Sequence, residues 1–479
     1  MTTLTIRWGF FLGFGLWLTG FIAAFAQPTL PQKLPVCTIP ELTTQQKQSL
    51  QKQLDFVLQL KKSSRLPTAS SITYVPIRPH IFRTSNGSGG FDLTALNFAM
   101  ARTNHYFLLN GTGIQFYFCG DTPDYVDNDD AYTDFDQNRD RNLLVDVRNA
   151  LNQYYFNFST TISGFGYYPY DDLISTRSYI STNHYNVEGQ LIGIANYTMP
   201  HELGHNFFLY HTFSPNRSTD ELVTRGAGAN CSTAGDLICD TPADPYNLPG
   251  ATIETNNFCV TYTGTITDAN GDLYTPLVDN FMSYYPYYAR CRDDKFTPGQ
   301  VERMQEALYM RQHYMNCTLD CPPTNVASPT NLSVTPTATS VVLTWQDNAS
   351  NEMGYFIERS SPQTDLVAIS GVGPNVTTFT DTSARAGIAY SYRIRPSNTT
   401  TGSLSPIVSL ESGFYTINSG AWNDPGIWSF GQVPTETDDV HIRHAVTVPQ
   451  NYKAKAQRII YESPVKVTLD NEGELLLSQ

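Results

Sequence analysis

Eleven residues, His201-Glu202-Leu203-Gly204-His205-Asn206-Phe207-Phe208-Leu209-Tyr210-His211, hold three imidazoles and a carboxylate at spacings that suit a metal ion. On a helix, His201 and His205 lie four apart, so both rings project from one face and can grip one ion. Glu202 sits beside them, within reach of a water on the ion's open position. Three protein ligands, one exchangeable water and one carboxylate to take its proton are the parts of zinc-assisted hydrolysis. His211 is too far along to share that face, so it ligates only if the chain leaves the helix and turns back. The bland alternative is a helix carrying surface or core histidines.

Downstream comes Asn280-Phe281-Met282-Ser283-Tyr284. With the extended zinc motif it resembles the metzincin metallopeptidases, whose Met-turn runs beneath the zinc site; by itself Met282 reads as a core methionine. More narrowly, residues 201–213 (HELGHNFFLYHTF), 235–243 (GDLICDTPA) and 280–304 look like the pappalysin family of secreted endopeptidases, a likeness that covers residues 72–317. The resemblance implies an α+β metzincin-like catalytic domain, a twisted mixed sheet with an active-site helix and a C-terminal helix. It implies zinc on His201, His205 and His211, with Met282 as the Met-turn residue. It also implies that Tyr284 contacts the zinc or donates to the oxyanion, against the plain reading of a core tyrosine. The matching segment of the family binds calcium, which implies Asp236 and Thr241 here; hard oxygens at short spacing suit that ion, and the alternative is a self-bonded Asx-turn loop. One residue departs from the pattern. Metzincins usually carry Gly at the eighth motif position, where this chain has Phe208. A bulky aromatic pays a steric penalty that Gly escapes, so either the turn uses ordinary backbone angles or the site is strained.

The remainder of the chain fits an exported, multidomain protein. Its 479 residues suit roughly three folded units. The N-terminus has one charge, Arg7, then an apolar run closed by Ala24-Phe25-Ala26, a small-x-small cleavage pattern. A membrane anchor competes with it, and the Ala-x-Ala end with no basic stop-transfer flank favours cleavage. A formal net charge of −14 speaks against nucleic acid and anionic membranes as partners. Eight Cys in an exported chain suggest disulfides. Two bridges among Cys231, Cys239, Cys259 and Cys291 would brace the loops after the zinc motif, with a structural zinc at Cys231 and Cys239 as the alternative. Cys37 lies in a region resembling a pro-segment. Its thiolate would hold the enzyme latent by taking the open zinc position, or it forms a disulfide, with Cys119 as the candidate partner.

The elements that must position the motif follow from pattern. Residues 72–77 and 114–118 read as strands and residues 91–107 as a helix between them, the upper half of the catalytic layer. Residues 121–140 carry eight Asp and read as a solvated acidic loop rather than a calcium site. Thr297-Pro298-Gly299-Gln300 starts a helix: Thr caps, Pro takes the first turn and Gln completes a capping box. Beyond Pro322-Pro323, short alternating strands with Trp345 and Tyr390 resemble an all-β fibronectin type III-like sandwich. Residues 413–479, with Trp422, Trp428 and Pro434, read as a small β-rich module like those of bacterial surface proteins.

The expected organisation is a signal peptide over 1–26, a pro-segment over 27–70, a catalytic domain over 71–320, a fibronectin type III-like domain over 321–412 and the β-rich module over 413–479. The expected function is a secreted zinc endopeptidase, at the extracellular surface of a bacterium or free of it, acting on protein or peptide substrates. Cell-surface or glycan contact would fall to the C-terminal β modules. Two rivals stand beside it. A catalytically inactive adhesion protein on the same scaffold draws support from Phe208, and a zinc amidase or exopeptidase would share the helix motif.

Overall fold

The segment Thr73–Arg83 (β1) is apolar on both faces through Val75, Ile77, Ile81 and Phe82, which suits a strand covered above and below. The computed structural model describes residues 43–62, 72–157, 162–170, 172–183, 189–213, 221–246, 248–256, 259–285, 294–315, 317–337, 339–462 and 464–478. The leader at 1–26, Cys37 and Cys291 lie outside the described residues. Helix α1 (Thr44–Lys62) precedes β1 and sends Leu50 into the core. Helix α2 (Leu93–Leu109) follows it, capped by Asp92, whose side chain accepts from the Ala95 amide at 2.8 Å.

Strands β2 (Ile114–Phe118) and β3 (Asp124–Asp127) both pair with β1, one on each half of its length. A short helix, α3 (Asp129–Thr133), follows. The acidic stretch is therefore partly ordered: the Arg78 guanidinium and His80 hold Asp124, and both lower its carboxyl pKa against the burial that raises it. Strands β4 (Leu151–Phe156), β5 (Gly164–Gly166) and β6 (Arg177–Ser181) complete a sheet of order β2-β1-β4-β6-β5. All its pairs are parallel except β5 on β6, so the sheet is mixed.

One helical stretch then runs beneath the sheet. It comprises α4 (Gln190–Gly193), a π-helical turn (Ile194–Thr198) and α5 (Met199–Asn206), which carries the zinc motif. A small hairpin, β7 (Ile253–Asn256) and β8 (Cys259–Tyr262), precedes the closing helix α6 (Pro298–Tyr314). Its capping box is present: Thr297 accepts from the Gln300 amide, and the Gln300 side chain accepts from the Thr297 amide. Arg311 of this helix is fully buried and donates to the carbonyls of Asn206 and Ser175 at 2.9 and 2.7 Å, so it ties off the end of α5.

Two cysteine expectations are corrected. Cys119 bridges Cys321 across 202 residues, so it is not the partner of Cys37. Cys231 bridges Cys239, so this pair holds no structural zinc. Cys259 is disulfide-bonded as well, and Cys317 is a buried thiol.

After the mixed sheet and its helices, seven strands form two antiparallel sheets. Strands β9 (Thr330–Pro336), β10 (Val341–Gln346) and β13 (Thr378–Asp381) make one; β11 (Tyr355–Ser361), β12 (Thr364–Val372), β14 (Tyr390–Pro396) and β15 (Val408–Leu410) make the other. Trp345, Tyr355, Ile357 and Tyr392 fill the space between them. The second sheet does not stand apart from the mixed sheet: Met353, Phe356 and Ala368 belong to the same hydrophobic core. The backbones meet closely at α2, where a Cβ on Gly371 would fall 2.2 Å from the Asn97 carbonyl. Asn97 donates to the Met353 carbonyl at 2.9 Å, and the Phe118 amide donates to the Ser397 carbonyl at 2.9 Å.

The last region, expected as a small β-rich module, is a coil of parallel strands. Strands β16 (Phe414–Tyr415), β18 (Asp439–Ile442) and β21 (Arg458–Tyr461) stack on one face. Strands β17 (Gly420–Ala421), β19 (Val446–Val448) and β22 (Val467–Leu469) stack on a second, and β20 (Lys453–Ala456) with β23 (Glu474–Leu477) on a third. Its own core is built on Trp422, Trp428, Val440 and Ile442. Among the described residues, no helix is long and apolar enough to cross a membrane.

Candidate metal centre

Met199 and Pro200 open α5, and Pro at the first turn suits a helix start because its missing N–H has no partner there anyway. The four-residue spacing then sets His201 and His205 on one face, with ring centroids 4.8 Å apart. Each ring is oriented by a carbonyl that accepts from Nδ1: Phe281 for His201 at 2.6 Å, Leu209 for His205 at 2.7 Å. That assignment leaves the Nε2 lone pairs pointing inward.

The helix ends at Asn206, and Phe208 turns the chain with φ of 72°. Of the two alternatives at this position, the strained one holds: an aromatic residue occupies the left-handed region. Its ring is buried among Tyr168 and Tyr210, with the Arg303 guanidinium 5.8 Å from its centroid, and this packing offsets the backbone cost. The Leu209 amide then donates to the Gly204 carbonyl at 3.0 Å, closing the turn. The reversal brings His211 Nε2 to 3.1 Å from His201 Nε2 and 3.2 Å from His205 Nε2.

Do these residues fit a zinc ion? Three inward lone pairs cannot satisfy one another, since none carries a proton to give. Zn–N bonds of about 2.0–2.1 Å in tetrahedral geometry separate ligand nitrogens by roughly 3.3 Å, close to the spacing found here. Among the described residues, these three histidines are the one group of potential ligands that meets so closely. All three are held neutral. Burial and then the charge of His205 push His201 well below the imidazole range. Burial takes His205 down to about 4, and burial with the two neighbouring rings depresses His211. Neutral imidazole is the form that ligates a metal.

The surroundings complete the site. Glu202 is buried on α5, and a Cβ on Gly164 of β5 would fall 2.8 Å from its Oε1. Met282 lies under the helix, where a Cβ on Gly204 would fall 2.6 Å from the Met282 sulfur. Glycine at this motif position is thus needed for room. Tyr284 is buried with its ring 4.9 Å from His211 and 5.9 Å from His201.

Asp236 and Thr241 sit apart from the histidines. Asp236 is buried; its Oδ1 accepts from the Ile238 amide, while Oδ2 has no hydrogen-bond partner. Burial raises its carboxyl to about 7. Burial and then the charge of Asp236 raise Glu221 to about 8, although Arg225 donates to Glu221 at 2.7 Å. Thr241 Oγ1 lies 3.4 Å from the Thr297 hydroxyl.

Sequence reasoning gave two residues no role of their own. Asn280 braces the turn, accepting from the Met282 amide at 2.9 Å and donating to Gln300 at 2.8 Å. Asp244, just after the GDLICDTPA segment, accepts from Thr212 and Ser283. Only its position next to that segment could have drawn attention to it.

Comparison with known proteins agrees with this geometry. Residues 124–309 match the peptidase M43 family, described as pregnancy-associated plasma protein-A. An extracellular metalloprotease of Sordaria macrospora is 28% identical over 180 residues, covering 37% of this chain and 50% of that protein. One of Neurospora crassa is 29% identical over 180 residues with the same coverage, 37% and 50%. The chain thus spans about half the length of the curated relatives it matches. Among solved structures, a promirolysin mutant of Tannerella forsythia aligns at 17% identity and a TM-score of 0.37, over 56% of this chain and 91% of that one. Residues 124–309 of this chain are thus similar to the peptidase domain of the pregnancy-associated plasma protein-A family.

Proposed function

We propose that the chain is a secreted zinc endopeptidase. The observation that carries this reading is the convergence of three neutral imidazole nitrogens beside a buried carboxylate on the same helix. His201, His205 and His211 would hold the ion. Zinc, when bound, supplies a Lewis acid for the scissile carbonyl and lowers the pKa of water. Glu202 takes the proton of the attacking water and delivers it to the leaving amine. Tyr284, beside His211, donates to the oxyanion or packs as a core tyrosine. The extracellular relatives support export, and the acidic net charge of −14 speaks against nucleic acid as a partner.

Finer readings follow from single features. Calcium at Asp236 and Thr241 is supported by the unpartnered Asp236 Oδ2. Latency through Cys37 rests on the sequence alone, as do the signal peptide over 1–26 and the pro-segment over 27–70. The two-sheet sandwich supports a fibronectin type III-like domain, and cell-surface or glycan contact falls to the coil of 413–479. The inactive-adhesin alternative keeps one observation in its favour, the strained Phe208 next to the third ligand.

The test uses the chain from Gln27 onward, with bound metal quantified and a denatured protein as substrate, with and without a zinc chelator. One zinc per chain and chelator-sensitive internal cuts are expected. Glu202→Gln should keep the zinc and lower kcat by about 10²–10⁴-fold. Zinc-free protein would favour the adhesin, and cuts confined to chain ends would favour an exopeptidase.

A further inference from the structure

His201 and His205 are aimed by carbonyls on their Nδ1 atoms. Among the described residues, no carbonyl or carboxylate takes the corresponding bond from His211. Its ring stacks on Phe213, 4.8 Å between centroids, and its orientation must come from the chain around it. Two bonds on the next residue define that chain. The Thr212 amide donates to the Met282 carbonyl at 3.1 Å, and the Thr212 hydroxyl donates to Asp244 Oδ2 at 2.5 Å. The same Oδ2 accepts from the Ser283 hydroxyl at 2.7 Å, and Ser283 stands between Met282 and Tyr284. Asp244 Oδ1 accepts from the Tyr246 amide at 2.9 Å, which fixes the carboxylate in turn.

We propose that Asp244 is the positioning residue of the third zinc ligand: one half-buried carboxylate buckles the His211–Thr212 segment to the Met282–Ser283 turn. This rests on the zinc reading given above. The physical case is that of an anion shared between two hydroxyl donors. Charge-assisted hydrogen bonds are about twice as strong as neutral ones, and two donors on one oxygen hold both loops to a single point. An ion site needs its ligands placed within about half an ångström, and such outer partners typically control metal affinity by 10–100-fold. The buckle also explains how a ligand outside the helix stays in place after a turn that stores strain at Phe208.

The experiment compares wild type with Asp244→Ala, Thr212→Val and Ser283→Ala. It reads zinc release to a chromophoric chelator, the visible spectrum of the cobalt-substituted protein, and the Tm of the metal-stripped forms. Asp244→Ala should release zinc at least about tenfold faster and alter the cobalt bands. Thr212→Val keeps the side-chain shape and should show a smaller change in the same direction. Adding it to Asp244→Ala should produce no further effect, because the bond is already gone. If Asp244→Ala fails to fold, Thr212→Val and Ser283→Ala carry the test. Unchanged release and spectra in the folded variants would overturn the inference, as would a fall in stripped-protein Tm that accounts for all the faster release. A wild-type chain that holds no zinc would sink the metal reading itself, a result distinct from either.

Discussion

The histidine triad and the acidic pocket around Glu221 and Asp236 are both buried sets of titratable groups, yet burial drives them in opposite directions. The imidazoles lose their protons and become neutral donors of lone pairs. The carboxylates cling to theirs, Glu221 up to about 8 and Asp236 to about 7. Desolvation disfavours the charged form in each case, so bases move down and acids move up. The consequence for a cation differs. The triad offers it neutral ligands at no electrostatic cost, whereas the acidic pocket must first surrender protons, and Arg225 already competes for Glu221. Geometry separates them further, since among the described residues only the three imidazoles converge as a set of three ligands.

The largest effect should come from removing one member of the triad. His205→Ala leaves two ligands where three are needed, so metal and activity should vanish together; metal analysis beside a peptide-cleavage assay checks both. Retained zinc with lost activity would mean that His205 acts in some other way.

A medium effect should appear in the pH dependence of the acidic pocket. In the unfolded chain Glu221 ionises near its ordinary value of 4.5, whereas the folded chain holds the proton to about 8. Between those values the folded state binds more protons than the unfolded one, so stability is full below pH 4.5 and falls as pH rises towards 8. Thermal melting of the metal-free protein should show this loss across pH 5 to 8. Glu221→Gln should flatten the profile, and added calcium should restore more Tm at pH 8 than at pH 5 if the pocket takes that ion. A flat wild-type profile would break the contrast between the two regions.

The smallest effect should come from Phe208→Gly. Relief of the left-handed strain is worth about 1–2 kcal/mol, while loss of a buried aromatic costs about 3–5 kcal/mol. A net destabilisation of about 1–4 kcal/mol should therefore accompany unchanged zinc stoichiometry, measurable by denaturant titration. A stabilised variant would show that the ring's packing contributes less than its backbone costs.

Legibility in the sequence tracked the range of the contacts involved. The order strand, helix, strand over the first catalytic residues corresponds to β1, α2 and β2, and Thr297 with Gln300 forms the capping box. These depend on neighbours a few residues apart. The acidic stretch after residue 120 was less legible, because β3 exists by pairing with the far half of β1. The Cys119–Cys321 bridge joins residues 202 apart, and no spacing rule selects such a partner. The C-terminal strands alternate as any half-buried strand does, so their parallel stacking is invisible until Val440 lies beside Ile459 and Val446 beside Val467.

By itself the sequence determined that His201 and His205 share one helix face beside Glu202, because a helix repeats every 3.6 residues and places positions four apart on one face. It also determined the acidic balance and the change from a mixed layer to all-β segments. Tertiary structure alone decided that the left-handed turn at Phe208 carries His211 back to its partners, and that Met282 fits under Gly204. It decided that Asp244 reaches both loops, and that the sandwich shares the catalytic core through Met353 and Phe356. Such contacts join residues whose separation along the chain carries no periodic signal, and only the folded path brings them within bonding distance.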